Sequence, residues 1–207
     1  MIGAESGASC SIVLLASGPG TLAQSVLDST ADADCPYRVA ALVSDRDCEA
    51  VARAERAGRP TAVIRPSDFA DRADWDTALR DAVAVHDPDW VVSAGFMRIL
   101  GSAFLERFDG VVVNTHPALL PSFPGAHAVR DALAYGVTVT GCTVHVVDSG
   151  VDTGPVIAQR AVEVRPDDTE VSLHERIKVV EREMLVDVLA AAARGRLHID
   201  GRKVVRS

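Results

Sequence analysis

The chain has 207 residues, 48 % of them hydrophobic but only 4 % aromatic, with a formal net charge of −8 at pH 7. That length supports one domain with a sizeable core, and an aliphatic core of Val, Leu, Ile and Ala suits a largely parallel sheet covered by helices. The acidic balance argues against nucleic acid or an anionic membrane surface as a partner, and no apolar run reaches membrane-spanning length.

Residues 1–10 carry neither a basic start nor an apolar stretch, so a flexible extension is expected there and no signal peptide. Cys10, Cys35, Cys48 and Cys142 are scattered without a C-x-x-C pair, as in a reducing, cytoplasmic setting. A buried strand is predicted over 11–16, followed by Ser17-Gly18-Pro19-Gly20-Thr21 and a helix over 22–29. Strand, glycine turn and helix start together offer backbone N–H groups to an anion, yet tight β-to-α turns also use Gly for conformational reasons. The turn is not G-x-G-x-x-G and lacks a P-loop lysine, and Asp45 is no clear ribose partner, so phosphate cradle and plain turn stand level. A second strand over 37–43 leads into a turn over 44–47 that caps a helix ending at Ala57, before Gly58. After a short strand over 61–64, a polar loop over 66–73 holds Arg72, and Asp74 is expected to cap a helix over 75–86. A fourth strand over 89–93 runs into Ala94-Gly-Phe-Met-Arg-Ile-Leu100, an apolar loop that either packs inside or lines an apolar pocket. Ser102 is expected to cap a short helix to Phe108.

The centre of the chain is Val111-Val-Val-Asn114-Thr-His116-Pro-Ala-Leu-Leu-Pro-Ser-Phe-Pro-Gly125. Three Val in a row read as a buried strand, and Pro117, Pro121, Pro124 and Gly125 then force an ordered loop. Asn114 and His116 project on one side of a strand end, where open α/β sheets bind ligands. An amide donor beside an imidazole suits a developing oxyanion and a travelling proton. A helix over 128–135 ends at Gly136, and residues 137–147 then alternate and pair with 156–164 as an antiparallel hairpin. Asp152 lies in the glycine-rich connector between them. There it reads as an ordinary turn residue or as the partner that would orient and charge His116, and spacing does not decide. Asp167, Asp168 and Thr169 open a last long helix to about Arg194, and 197–205 read as a short edge hairpin around Asp200-Gly201. His116, His127, His145 and Asp152 follow no metal-ligand spacing, so no metal is expected. With no G-x-S-x-G serine and no Cys–His motif, the residues suggest direct transfer at a carbonyl or formyl carbon.

Asn114-Thr-His-Pro-Ala-Leu-Leu-Pro-Ser-Phe-Pro-Gly125, the 94–100 loop, Gly141-Cys-Thr-Val-His145 and Val151-Asp152-Thr-Gly-Pro155-Val-Ile together resemble the folate-dependent formyltransferases, most closely the phosphoribosylglycinamide branch. The resemblance spans about 11–196. It implies a formyltransferase-type α/β fold, with a Rossmann-like sheet parallel at first and finished by antiparallel strands, and helices on both faces. It implies 10-formyltetrahydrofolate as donor, the glycinamide ribonucleotide amine as acceptor, and a monomer or homodimer. In that likeness Asn114 and protonated His116 stabilise the oxyanion, and Asp152 orients His116. Gly18, Pro19, Gly20, Thr21 and Leu22 surround the phosphate with help from Lys178, and Glu181 holds the ribose. Met97, Arg98, Ile99, Leu100, Val147, Asp148 and Asn114 line the folate slot, and Arg72 meets the folate tail. The family loop often reads Ser-Gly-x-Gly-Ser-Asn. Here Leu22 follows Thr21 and Pro19 has no N–H, so the phosphate would rest more on the remaining backbone amides. A transfer RNA formyltransferase would usually carry Arg in the proline loop, where this chain has Phe123-Pro124-Gly125. An amino-sugar formyltransferase and a formyltetrahydrofolate hydrolase share the donor, and the hydrolase would need an N-terminal regulatory domain. A binding module that has lost the reaction would bind tightly without turnover.

Overall fold

A computed structural model describes residues 10–206. The predicted extension lies outside them, except that Cys10 already belongs to the first strand. The elements in order are β1 (Cys10–Ala16), α1 (Thr21–Ser29), β2 (Tyr37–Ser44), α2 (Glu49–Arg56), β3 (Thr61–Val63), a 3-10 turn (Pro66–Asp68), α3 (Arg72–Ala84) and β4 (Trp90–Ser93). Then come α4 (Ser102–Arg107), β5 (Val112–His116), α5 (Ala128–Tyr135), β6 (Val139–Val146), β7 (Val156–Glu163), α6 (Glu170–Ala193), β8 (Leu197–Asp200) and β9 (Lys203–Arg206). Seven strands form one sheet in the order β3-β2-β1-β4-β5-β6-β7. The first five are parallel, and β6 and β7 are antiparallel to their neighbours. The α/β class and the parallel-then-antiparallel sheet agree with the reading of the sequence. The last hairpin, β8 with β9, forms a sheet of its own instead of extending the edge of the large one.

Continuous aliphatic runs build the parallel strands because both faces of the sheet are covered. Ile12, Leu14, Val92, Val113 and Val144 point to one face and pack on α1, α2, α5 and α6. Val13, Leu15, Val91 and Val112 point to the other and pack on α3 and α4 through Trp75, Leu79, Val83 and Phe104. Residues two apart share a face and neighbours in sequence do not, so the strand ends hand alternate side chains to opposite faces.

Two helix starts, those of α3 and α4, are capped by residues other than the ones the sequence pattern suggested, and the α4 cap comes from a tertiary contact. Asp71, not Asp74, caps α3 by accepting from the Ala73 and Asp74 amides at 2.8 and 2.9 Å, which puts Arg72 in the first helical turn and out of the loop. Ser102 makes no cap for α4. The buried Asp76 carboxylate of α3 takes that place, accepting from Gly101 N–H at 2.7 Å and Phe104 N–H at 3.1 Å. Cys48 precedes α2 without a side-chain cap, and Ser44 bonds the Arg46 carbonyl instead. Thr169 caps α6 in a reciprocal pair with Ser172, a capping box in which Ser replaces the usual Glu or Gln.

Because β1 leads outward to β2 and β3 while β4 lies on its other side, the strand order reverses between β1 and β4. A crevice opens at the carboxyl ends of those two strands, the position where open α/β sheets take ligands.

Candidate active site

β5 delivers Asn114 and His116 to the face shared with α3 and α4, and its antiparallel partner β6 sets His145 opposite Asn114 and Thr143 opposite His116. His116 and His145 are almost fully buried. Asp152 arrives from the β6–β7 connector in a left-handed backbone conformation, φ 54°, which Asp tolerates better than most non-glycine residues. Gly154 lets that connector fold back, since a Cβ there would collide with the Val146 carbonyl. The Asp152 carboxylate then lies 3.3 Å from His116 Nδ1 and 3.5 Å from His145 Nε2, and accepts the Gly125 N–H at 2.8 Å. One side chain thus joins β5, β6 and the proline loop. The two groups that spacing could not connect do meet.

The electrostatics follow from these contacts. The adjacent His145 ring pulls the Asp152 carboxyl down, burial opposes it, and the Gly125 N–H and His116 add to the lowering, leaving the pKa at about 2. Burial pushes His116 below its ordinary value, against the Phe123 carbonyl and Asp152, which favour the charged ring, while His145 adds to the lowering. Burial thus works against the protonated imidazole that the resemblance implies, while the adjacent carboxylate favours it. Acceptors flank both nitrogens, Phe123 O at 2.8 Å from Nε2 and Asp152 at Nδ1. A neutral imidazole donates to only one of them, whereas a ring that has taken a proton satisfies both. Asn114 Nδ2 is 3.2 Å from His145 Nε2, and His145 Nδ1 donates to the Val146 carbonyl at 2.9 Å, which leaves Nε2 to accept the amide N–H.

The proline loop is fixed from below. The fully buried Thr143 hydroxyl donates to Ala118 O at 2.7 Å and accepts from Leu120 N–H at 3.1 Å, while Gln159 Nε2 donates to Leu120 O and to Thr143. That anchor holds the Phe123 carbonyl and the Gly125 amide where His116 and Asp152 need them.

On the α3/α4 face, Phe96 and Leu100 turn into the core while Met97 and Ile99 stay exposed, so the 95–100 loop is one side buried and one side open. Arg72 reaches this loop: its guanidinium lies 4.5 Å above the Trp75 ring and donates to the Ile99 carbonyl. Val147 donates its N–H to Val112 O at 2.8 Å, extending the hairpin alongside β5. Asp148 orders its own connector, accepting from Gly150 N–H and the Thr153 hydroxyl.

On the opposite face, α1 begins at Thr21 after Gly20, which sits at φ 70° so close to α2 that a Cβ would lie 2.6 Å from Ala50. No side chain caps this helix and its first turn has no acidic residue, so its leading amides face the crevice without a side-chain competitor. The Leu22 side chain packs toward the core, leaving its backbone to the loop, and Pro19 offers its carbonyl to Arg53 Nε at 2.9 Å. Gly18 accepts Ala50 N–H. Lys178 and Glu181, three residues apart on α6, do not pair. Lys178 bonds Glu175 at 2.7 Å, while Glu181 is buried, and that burial raises its pKa against a hydrogen bond from Thr115, the residue between Asn114 and His116 on the other face of β5.

The formyl transferase family pattern matches residues 10–189. The chain belongs to that family. A phosphoribosylglycinamide formyltransferase of Mycobacterium tuberculosis (strain ATCC 25618 / H37Rv) is 55 % identical over 199 residues, covering 93 % of this chain and 92 % of its own length. The crystal structure of glycinamide ribonucleotide transformylase 1 from Symbiobacterium toebii superposes with TM-score 0.94 at 41 % identity, over 97 % of this chain and 95 % of that one. The human trifunctional purine biosynthetic protein adenosine-3 is 39 % identical over 91 % of this chain, which spans 19 % of that longer protein. Within this formyl transferase, sequence reasoning missed His145 as a member of the cluster, together with Thr143 and Gln159 beneath it. The hairpin register, which sets His145 beside Asn114, was the available signal. Among the described residues no helix is long and apolar enough to cross a membrane, and no group of three or more His, Cys, Asp or Glu is arranged to hold a metal ion.

Proposed function

We propose that this formyl transferase moves the formyl group of 10-formyltetrahydrofolate to the amine of glycinamide ribonucleotide, a step of purine biosynthesis. The observation that carries the reading is the meeting of Asp152 with His116 and His145 at the crevice, between an open glycine turn on one face of the sheet and a half-apolar loop on the other.

The acceptor phosphate rests on the leading amides of α1, from Gly20, Thr21 and Leu22, with Gly18 and Pro19 shaping the turn. The helix dipole favours its charge there. Lys178 adds a positive charge, and Glu181 receives a ribose hydroxyl. The folate ring enters between Met97, Arg98, Ile99 and Leu100 on one side and Val147 and Asp148 on the other, and Arg72 meets its carboxylate tail. The two substrates then reach Asn114 and His116 from opposite faces of β5.

The amine lone pair attacks the formyl carbon, and the C=O electrons move to oxygen. Asn114 keeps one N–H on His145 and turns the other to that oxyanion; losing a preorganised donor of this kind costs about 100- to 1000-fold in turnover. The amine proton passes to neutral His116, and the Asp152 carboxylate stabilises the imidazolium formed. Breaking the C–N10 bond returns the proton to N10, releasing tetrahydrofolate and the formamide. In this reading the enzyme is a single cytoplasmic domain with small-molecule partners and no metal.

The test is one transfer assay with acceptors side by side: glycinamide ribonucleotide, methionyl-tRNA, an amino-sugar nucleotide, and water alone. Formylation of glycinamide ribonucleotide alone is expected. Faster turnover with another acceptor overturns the reading.

A further inference from the structure

The 95–100 loop leaves the end of β4, but its position is set by the neighbouring strands. Gly95 O accepts the Ser17 N–H at 3.1 Å, and Met97 N–H donates to the Ser17 hydroxyl at 2.9 Å. That hydroxyl has one proton to give, and it goes to the carboxylate of Asp45 at the end of β2. Arg98 Nε donates to Asp45 Oδ2 at 2.7 Å, and Arg46 Nη2 to the same oxygen at 2.8 Å. The Asp45 side chain is wholly buried. Burial alone would raise its pKa, yet the bonds from Arg46, Ser17 and Arg98 prevail and hold it at about 2. A buried carboxylate this fully committed reaches two points, Arg98 and Met97, of a loop about fifty residues away in sequence. No step of the proposed chemistry uses it.

We propose that Asp45 is a positioning residue for the donor loop: through Arg98 directly, and through the Ser17 hydroxyl to Met97, it fixes the edge against which the folate ring packs. The role rests on the reading of 97–100 as the donor slot. The acceptor turn starts at the same Ser17 but has supports of its own, from Ala50 N–H to Gly18 O, Arg53 to Pro19 O, and Gly20 against Ala50. Loss of the carboxylate therefore separates the two substrates. Hydrogen bonds to charged groups are worth about 1.5–3 kcal/mol net, which corresponds to about 10- to 100-fold in affinity when their loss frees the loop.

The experiment compares Asp45→Asn, Arg98→Gln, the double variant and Ile99→Pro. Tetrahydrofolate and glycinamide ribonucleotide are titrated separately by calorimetry, and amide exchange is followed at Met97. Asp45→Asn is expected to weaken tetrahydrofolate at least about tenfold and to speed Met97 exchange, with glycinamide ribonucleotide within about twofold and KM for the donor raised more than kcat falls. The double variant is expected to be no weaker than Asp45→Asn, because both changes cut one contact. If Asp45→Asn does not fold, Arg98→Gln, which changes a partly exposed side chain, reads the same contact. Ile99→Pro separates the two ideas: unchanged tetrahydrofolate affinity there refutes the donor slot, whatever Met97 exchange shows. A weakened Ile99→Pro beside an Asp45→Asn with normal affinity and normal Met97 exchange overturns the role of Asp45 alone. Equal weakening of both substrates overturns it too.

Discussion

Replacing Asp152 by Asn removes the charge that three parts of the site share, while keeping the side chain's size. The carboxyl lies at about 2 in the folded protein against an ordinary value of 3.8. That lowering of nearly two pH units, at about 1.36 kcal/mol each, makes ionised Asp152 worth roughly 2 kcal/mol of stability at neutral pH. The sign follows from a lowered carboxyl pKa: the contribution is complete above the unfolded value near 4 and disappears as pH falls through the folded value. The stability gap between wild type and Asp152→Asn, from urea unfolding at several pH values, is expected to be roughly 2 kcal/mol at pH 7 and about half that at pH 3. Formyl transfer, followed by the absorbance change on deformylation of the folate, is expected to fall by at least about 100-fold, because the imidazolium of His116 loses its counter-charge. A gap that does not change between pH 7 and 3, or a variant of wild-type activity, refutes the reasoning.

Thr143→Val keeps the shape but removes the hydroxyl that binds Ala118, Leu120 and Gln159. It is expected to lower stability by about 1–3 kcal/mol in thermal unfolding and to slow turnover, with Thr143→Ser restoring both. Asp76→Ala strands the Gly101 and Phe104 amides and is expected to cost about 1–3 kcal/mol, read by chemical denaturation. Gly20→Ala places a Cβ 2.6 Å from Ala50 at a positive φ, so phosphate affinity, measured with glycinamide ribonucleotide, is expected to drop along with stability. The acid limb of kcat/KM is expected below the ordinary histidine pKa of 6.5, since burial lowers His116 and the neutral ring is the form that takes the proton.

The strands were legible because each is an aliphatic run bounded by Gly, Pro or Asp, and β1, β2 and β4 came within a residue of their observed limits, whereas β5 runs on past its Val triplet to His116. The helix starts were less so. Local pattern pointed to Asp74 and Ser102 as caps, but the amides of α4 are held by Asp76 from another helix, which no local rule can reveal. Asn114 and His116 stood out because polar groups two apart at the end of a Val run share a face. Their meeting with Asp152 needs the fold of a connector thirty-six residues beyond His116. Lys178 and Glu181 lie one helical turn apart, but the packing of α6 on the sheet, which sequence does not display, buries Glu181 and leaves Lys178 to Glu175. The protonation state of His116 was also out of reach, because burial is a property of the folded site while the adjacent carboxylate could be guessed.

The central claim is that His116 carries the proton of formyl transfer. Single-turnover rates with 10-formyltetrahydrofolate and glycinamide ribonucleotide test it most directly, comparing wild type with His116→Ala in folded protein. The account predicts a chemical step slowed by about 100-fold or more with both substrates still bound; an unchanged chemical step in His116→Ala contradicts it.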